Sequence, residues 1–517
     1  MSGLRLTWHT GAAMAGNDMR DSSSTSQHCN VSRVPMTRRA TVFMTGLVLA
    51  GCAATPPSAR SDVTVELTPQ FRQSSVMGAE VGATWWQGFG DPSLSALAVR
   101  SQAANLDVRI AVQRVTQSRA GLEAASSRLW PTVSLTGSAA DQRTGLPGEV
   151  KRGLPDTRAL RGAIDLGWEI DVFGAARASA DAAGWDARAA EAGVGAAQLL
   201  ATTEVARQYI VWQGARARLA KVQALLAAQA DTERLTRSRE SAGQASRFDV
   251  SRAAAETQAL TAQVPPLQSL VAVTEHQLAV LVGANPSQPL AELSAATSAS
   301  LPVAPQLSPG QPAELLLRRP DVQAAERQFN AETARTRESQ ADQWPKVFLA
   351  AVLGSQDLRL NLLDLSPVRY SNVALAFTAP LFNAGRLKAA VARQSARERS
   401  ALLQVERAVL VALQDVENSL VALRSERERD RALRATTELR RTGLRHAESL
   451  FREGQIDLLQ LLDAQRGLLA AELAAIDSQT QIALGTVQLI KAVGGGWAAA
   501  PAVSAAKPSV LSCAAPC

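Results

Sequence analysis

The stretch Phe451-Arg-Glu-Gly-Gln-Ile-Asp-Leu-Leu-Gln-Leu-Leu-Asp-Ala-Gln-Arg466 reads as the turn between two very long helices. Gly454 is the kind of residue that ends a helix in the left-handed conformation, and Asp457 is placed to cap the next one. The same device occurs earlier, at Glu240–Val250, where Gly243 stops a helix and Ser246 with Asp249 makes an S-x-x-D start. The two glycines lie 211 residues apart (454 − 243), and other signals recur at nearly that offset. Trp130-Pro131 returns as Trp344-Pro345, Phe173 with Arg177 as Phe382 with Arg386, and Val205 as Val416. The recurrence predicts two copies of one structural unit, with Gly243, Ser246, Gly454 and Asp457 at the hairpin tips.

By length alone, 517 residues could hold three or four domains, but the repeat argues for one architecture built twice. Aromatic residues make up only 4% of the chain, few for a compact core. Alanine- and leucine-rich seams suit helix-on-helix packing instead. The net charge is +7, which raises the question of nucleic acid. Arginine nevertheless alternates with acidic residues along helical faces, as in Glu426–Arg434, and this marks an ion-paired, solvated surface without a nucleic-acid patch. Four scattered cysteines (Cys29, Cys52, Cys513, Cys517) have no metal-type spacing, and four scattered histidines offer no zinc or acid–base cluster. No window of 18 apolar residues is present, so no transmembrane helix is expected.

Residues 1–35 are polar, serine-rich and aperiodic, and read either as a disordered extension or as an over-long start, with translation at Met1 or Met36 left open. From Met36 the chain carries a complete export signal, residues 36–51. Arg38-Arg39 forms the positive region and Ala40–Leu49 the apolar one. Leu49-Ala-Gly-Cys52 then resembles a bacterial lipobox, which implies cleavage before Cys52 and acylation of its thiol. Ala53, in place of the aspartate that resembles an inner-membrane retention mark, points to the outer membrane of a Gram-negative cell. Acyl chains contribute about 0.8 kcal/mol per buried methylene, so a multiply acylated cysteine is a firm anchor in outer-membrane lipid.

An anchor and linker region, 52–84, precedes the first unit, 85–284. Asp91-Pro92 predicts a helix start, with the helix running to Leu129 before Trp130-Pro131 breaks it. Thr132–Ala140 and Leu160–Phe173 alternate at period two, as do Lys346–Leu353 and Val373–Phe382 in the second unit, 313–497. Dyad alternation over such lengths is what a transmembrane β-barrel needs, because hydrocarbon leaves no backbone group unpaired. Four strands cannot close a barrel, so several chains must share one. Trp130, Trp168, Phe173, Trp344, Phe348, Phe377 and Phe382 form either an interfacial girdle or ordinary packing.

The pattern turns helical from Gly174 to Ala242, a span on the order of 100 Å, and again from Ala384 to Glu453. Shorter helices follow each, Ser246–Val282 with a break at Pro265-Pro266 and Asp457–Val493 without one. Leu402, Val405, Val409, Leu413, Val416, Leu420 and Leu423 step by a mean of 3.5 (21 residues in six steps), a heptad seam that favours left-handed supercoiling. Residues 285–312 read as a Pro/Ser/Ala-rich linker and 498–517 as a low-complexity, disordered tail.

Six stretches then carry a family likeness. They are Trp85-Trp86 with Phe89-Gly-Asp91-Pro92, Trp168-Glu-Ile-Asp171-Val-Phe173-Gly174, Arg319-Pro320-Asp321 with Glu326, Pro380-Leu-Phe382-Asn-Ala-Gly385-Arg386, Leu462-Asp463-Ala464-Gln465 and Gly494-Gly-Gly-Trp497. In order and across both units, they resemble the outer-membrane efflux channels, the TolC-like outer-membrane factors of the NodT-type lipoprotein branch. The resemblance implies an α+β membrane protein. Its parts are a shared twelve-stranded transmembrane β-barrel in a homotrimer and a periplasmic α-helical coiled-coil barrel. It also implies docking to a periplasmic adaptor (membrane fusion) protein and to an inner-membrane RND-type pump.

The same resemblance places Leu459 and Asp463, four apart on one helical face, at the periplasmic constriction. Three carboxylates around a pore would repel one another, favour cations and respond to pH and metal ions. Phe451, Arg247 and Asp249 fall near positions where the family ties its hairpins shut. Phe451 has no hydroxyl to bond across the gate, and Gln460 replaces a carboxylate seen in part of the family. Asp249 reads equally well as a simple helix start. Opening would untwist the Gly454 hairpins, biased by adaptor contacts. No nucleophile, base or cofactor site stands out, and no enzyme activity is expected.

A passive duct for drugs or small toxic solutes is the leading reading. The same fold in protein secretion with an ABC-type pump, and a periplasmic coiled-coil scaffold with no pore, are the alternatives. Cys52→Ser should abolish incorporation of labelled palmitate; a variant that still takes up label removes the lipobox assignment.

Overall fold

The computed structural model describes residues 68–72, 81–143, 145, 157–296, 300–312, 318–360 and 363–495. All belong to the unit that begins at Leu67. The expectations for 1–35, for the export signal 36–51, for Cys52 and for the tail 498–517 lie outside the described residues. A 3-10 turn over Trp85–Phe89 leads into α1 (Pro92–Ala104) and α2 (Leu106–Ser127), then β1 (Thr132–Gln142) and β2 (Thr157–Ile170). The long α3 (Ala175–Ser241) follows, with α4 (Arg247–Thr261) and α5 (Val264–Leu281). After a one-turn helix α6 (Ala291–Ser294), the order recurs: α7 (Pro320–Ala341), β3 (Lys346–Leu360), β4 (Leu363–Thr378), α8 (Arg386–Arg452) and α9 (Leu458–Ala492). Helices α3 and α8 are each 67 residues long, which is about 100 Å of helix.

Backbone conformation follows the same spacing. Gly174, Gly243 and Gly283 have φ of +84°, +72° and +67°; Gly385, Gly454 and Gly494, each 211 positions further on, have +83°, +75° and +71°. Two of these positions, Gly283 and Gly494, also require glycine for space, a Cβ on Gly494 standing 2.9 Å from the Arg319 Cα. A Cβ on Gly283 would stand 2.5 Å from the carbonyl oxygen of Ala104, closer than any side chain permits.

That close approach belongs to a clamp that recurs in both halves. Asn105 caps α2 by accepting from Asp107 N and Val108 N at 2.9 and 3.2 Å. Its Nδ2 donates to the carbonyl of Leu281, the last residue of α5, at 2.9 Å. In the second half Arg319 precedes α7, and its Nη1 donates at 3.0 Å to the carbonyl of Ala492, the last residue of α9. The returning helix is thus tied by its last carbonyl to the residue that starts the outgoing one. Arg319 is buried, and two carboxylates neutralise it: Asp321 in a two-point bond at 2.7 and 3.0 Å, and Asp415 at 3.1 Å. Burial pushes the Asp321 carboxyl up, but the Arg319 bonds and charge outweigh it and hold the group below its usual range.

Asp91 links the first turn to the central helix. Its Oδ1 caps α1 through Ser93 N and Leu94 N at 2.8 and 3.1 Å, and its Oδ2 accepts from the Tyr209 hydroxyl at 2.7 Å. Tyr209 is fully buried; burial, then Asp91, raises its pKa well above the ordinary phenol value. Trp85, Trp86 and Phe89 pack edge to face beside this joint. Between Leu199 and Ala215, α3 is buried on nearly all sides, packed among α1, α2, α5, α7 and α9.

Several sequence expectations change. The helix expected from Asp91 to Leu129 is broken at Asn105, whose side chain replaces backbone bonds at that joint. The expected break at Pro265-Pro266 falls three residues earlier, at Ala262-Gln263, because the prolines sit in the first turn of α5, where no amide is needed. The linker 285–312 lies on the helical body: Leu290, Leu293 and Leu307 are buried, and Glu292 meets Arg100 at 2.8 Å. The α8 seam is also different. Ala401, Val405, Val409, Ala412, Val416, Leu420 and Leu423 are buried, in steps of 4, 4, 3, 4, 4, 3, whereas Leu402 and Leu413 are half-buried. Eleven residues per three turns is 3.67 per turn, the period of a straight to slightly right-handed seam, where the heptad reading favoured a left-handed one. The small alanines at 401 and 412 let neighbouring backbones come closer than leucine would.

All four strands form one antiparallel sheet in the order β1-β2-β3-β4. They run past the expected strands at their far ends, because pairs such as Asp141 with Arg158 continue the ladder after the apolar alternation stops. They end short of the expected Phe173 and Phe382, at Ile170 and Thr378, where the chain turns into α3 and α8. The β2–β3 pairing joins the two halves, and among the described residues β1 and β4 each keep one edge unpaired. Asn105→Ala should destabilise the fold by about 2 kcal/mol through loss of a cap and of one bond to Leu281. Asn105→Asp, which keeps the cap alone, should recover about half in the same thermal melts.

Candidate functional site

Two regions carry the chemistry that function needs, the sheet and the helical tips. Cross-strand partners in an antiparallel sheet point to the same side, so the register sorts the side chains into two faces. One face collects Val133, Leu135, Leu160, Ile164, Leu166, Trp168, Val347, Leu349, Leu353, Val373, Leu375 and Phe377. Most of these are exposed to surroundings the chain itself does not fill, Leu135 at 83% and Phe377 at 77%. The other face collects Ser134, Thr136, Ser138, Arg161, Asp165, Glu169, Lys346, Gln356, Tyr370 and Asn372, with Phe348, Val352 and Val368 as exceptions. From Ile170 to Leu160 the apolar face spans ten residues, about 33 Å along the strand. At the usual barrel tilt that is roughly 25 Å of height, the thickness of an outer-membrane apolar band.

Charged pairs end the band on the far side, with Asp141 bound to Arg158 at 3.2 Å and Asp357 to Arg359 at 3.8 Å. Aromatic residues end it on the helix side. Phe173 stacks on Trp344 at 5.6 Å with both rings still exposed, at 41% and 52%, whereas the half-buried Trp168 indole donates to Leu129 O at 3.1 Å. Trp130 and Phe382 are exposed at 72% and 90%, the positions a membrane–water boundary would use.

At the opposite end of the helices, both tips are built the same way. Gln244 N bonds to Arg239 O at 2.8 Å and Gly243 N to Glu240 O at 2.9 Å; Gln455 N bonds to Leu450 O at 2.8 Å and Gly454 N to Phe451 O at 3.1 Å. This is a glycine-terminated Schellman close in each case. Ser246 and Asp249 form a full capping box, each side chain accepting from the other's amide at 3.1 Å. Those Ser246 bonds, with help from Arg252, hold the Asp249 carboxyl below its usual range despite slight burial. Asp457 accepts from Gln460 N at 2.9 Å.

Phe451 is the plug of this end. It is buried with Ala253, Leu458, Leu461 and Leu462, and the Arg239 guanidinium lies 4.8 Å over its ring. Arg247 extends into solvent, 3.7 Å from Glu240. Leu459, 42% exposed, and Asp463, also exposed, share a face of α9 about 100° around the helix from buried Leu458 and Leu462. Among the described residues Asp463 makes no hydrogen bond or ion pair. Sequence reasoning missed the ties behind this face: Arg466 to Glu256 at 2.9 Å, and Glu472 held by both Lys221 at 3.3 Å and Arg441 at 2.9 Å. Opposite charges 210 residues apart, at Glu256 and Arg466, were the available signal. Among the described residues no cluster of His, Cys, Asp and Glu could hold a metal, and no helix is long and apolar enough to cross a membrane.

An amphipathic four-stranded sheet with edges free among the described residues, set on helical hairpins about 100 Å long, is the architecture of a class of outer-membrane channel proteins. The family model for the outer membrane efflux protein matches residues 97–284 and 312–495, and the chain belongs to that family. It is 28% identical to nodulation protein T of Rhizobium leguminosarum bv. trifolii over 466 residues, 89% of this chain and 98% of that one. It is 29% identical to the toluene efflux pump outer membrane protein TtgC of Pseudomonas putida, over 88% of this chain and 94% of that one. Among solved structures, the outer-membrane channel OprN superposes with a TM-score of 0.76 at 30% identity, covering 85% of this chain and 99% of that one. The open state of the Neisseria gonorrhoeae MtrE outer membrane channel gives 0.74 at 26%, covering 86% and 98%.

Phe451→Ala should leave a cavity costing about 3 to 4 kcal/mol locally. The expected reading is faster amide exchange across Leu458–Leu462 with little change at Leu199–Ala215; uniform protection at both would remove the plug role.

Proposed function

We propose that three copies of this chain assemble into a passive outer-membrane duct. The single observation that carries the reading is a two-faced sheet of four strands whose β1 and β4 edges are free among the described residues. In hydrocarbon each unpaired backbone group costs several kcal/mol, so edges of this kind must meet other strands. Three four-stranded sheets give a twelve-stranded barrel with the apolar face toward lipid and the polar face lining water. The two halves of the chain act as two copies of one unit, each supplying two strands and one helical hairpin to a periplasmic tunnel. Cys52 carries the lipid anchor in the outer membrane.

The duct exports small solutes, drugs among them, and works with a periplasmic adaptor docked at the Gly243 and Gly454 tips and with an inner-membrane RND-type pump that supplies the energy. Relatives named for toluene efflux, antibiotic efflux and pyoverdine export support small solutes over secreted proteins as the cargo. A scaffold without a pore leaves the exposed apolar face of the sheet without a role. Leu459 and Asp463 line the gate at the periplasmic end, where three uncompensated carboxylates favour cations and resist close approach. Arg247, Asp249 and Phe451 support the gate by fixing the tips on which α9 turns.

Heat-modifiable trimers in outer-membrane fractions are the expected assembly. In planar bilayers Asp463→Ala should raise conductance and weaken cation preference by a few-fold. Unchanged conductance and selectivity would remove Asp463 from the gate.

A further inference from the structure

Among the described residues, the polar face of the sheet holds one cation without a counter-ion. Arg161 sits on β2 between Ser138 of β1 and Gln356 of β3, both neutral. Its Nε donates to the hydroxyl of Tyr370, and its guanidinium carbon lies 5.2 Å from the centre of that ring. Tyr370 belongs to β4, two strands away, and reaches Arg161 by lying across β3 at Gly354, its own cross-strand partner. The room for this exists only because residue 354 has no side chain. A Cβ there would stand 2.6 Å from the Tyr370 hydroxyl oxygen, 2.7 Å from Cζ and 2.9 Å from the Ala163 Cβ. Ala163, 2% exposed, lies beneath the assembly. Three strands therefore cooperate to hold one guanidinium in place.

The other charges of this face are engaged. Lys346 meets Glu169 at 3.4 Å and Asp342 at 3.0 Å, and Asp165 accepts from the Thr136 hydroxyl. Arg161 meets no carboxylate within ion-pair distance among the described residues, and its Nη hydrogens have no protein acceptor there. Asp165 is the next charge on this face of β2, four residues and about 13 Å away, beyond the screening length of about 8 Å at physiological salt. A guanidinium with free, forked donors, held on a lining surface, is an anion site.

We infer that Arg161, positioned by Tyr370 and Gly354, forms a cationic collar in the outer third of the barrel that binds passing anions, namely solutes bearing carboxylate, sulfonate or phosphate groups. The inference rests on the threefold barrel proposed above, which brings three such arginines to one level. The collar is opposite in sign to the Asp463 ring and lies at the other end of the duct. An anionic solute would thus be retarded at the periplasmic gate and favoured near the exit.

The test is zero-current potential in planar bilayers under a tenfold KCl gradient, followed by addition of citrate to one side. Arg161→Gln should shift the chloride-to-potassium permeability ratio at least about threefold toward potassium and abolish slowing of the current by citrate. Arg161→Lys should keep most of the wild-type chloride-to-potassium permeability ratio and citrate response, which separates charge from assembly. Tyr370→Phe and Gly354→Ala should fall between the two, because the charge remains but loses its fixed position. An Arg161→Gln channel of normal conductance with wild-type reversal potential and citrate response would overturn the collar while leaving the duct intact. Absence of channels from the wild-type protein would overturn the barrel itself, and the collar with it.

Discussion

A β-sheet in hydrocarbon has no water to satisfy its edges, and that constraint governs how this chain is built. The sheet runs β1-β2-β3-β4 without closing, and its apolar face stays uncovered. A soluble sheet with such a face would need a helical layer over it, since an exposed apolar patch of this size invites association. None of the helices serves as that layer: α3 leaves the sheet after Gly174 and α8 after Gly385, and they pack instead on α2, α7, α5 and α9. The sheet must therefore find both its edge partners and its apolar solvent outside the chain. In the proposed duct a membrane and sister subunits supply both.

Much of the helical layout was legible in the sequence because it depends on short-range signals. A glycine with positive φ ends a helix by local geometry alone, and Gly243, Gly454 and the strand-to-helix glycines 174 and 385 mark those ends within one or two residues. Strand alternation was legible for the same reason, as far as the apolar stripe extends. What escaped notice depends on pairs far apart in the chain. Asn105 breaks a helix that periodicity would continue, because its amide also serves Leu281, 176 residues away. The Tyr209–Asp91 bond spans 118 residues and the Arg319–Ala492 bond 173. Nothing in local propensity identifies such partners.

The α8 seam shows a subtler limit. Hydrophobicity ranks Leu402 and Leu413 above Ala401 and Ala412, so a reading by apolar type picks the leucines and a heptad. Packing between long neighbouring helices favours the residue that lets backbones approach, and the alanines take the buried places. The resulting eleven-residue period keeps one face toward the same neighbour over a long distance with little supercoil. For a 67-residue helix that difference decides whether the hairpin wraps around its partner or stands beside it, and a wall of parallel staves needs the second.

The tip residues combine these two kinds of order. In α9, Leu458, Leu461, Leu462 and Gln465 face inward onto Phe451 and Ala253, while Leu459 and Asp463 face away. A helix whose inner face is buried cannot expose its outer face differently by rotating, because rotation by one residue, about 100°, would bring Asp463 into the apolar cluster. Motion of the proposed gate must then carry the whole tip as a rigid piece and be absorbed higher up. The first contacts available to absorb it are the ion pairs of Arg466 with Glu256 and of Glu472 with Lys221 and Arg441. Pairs of this type, half-buried with the basic side chain open to solvent, contribute about 1 kcal/mol each, whereas the Phe451 cluster is worth several. The weak ties yield before the strong one, which places the flexing point above the tip and leaves the Asp463 face intact as it moves.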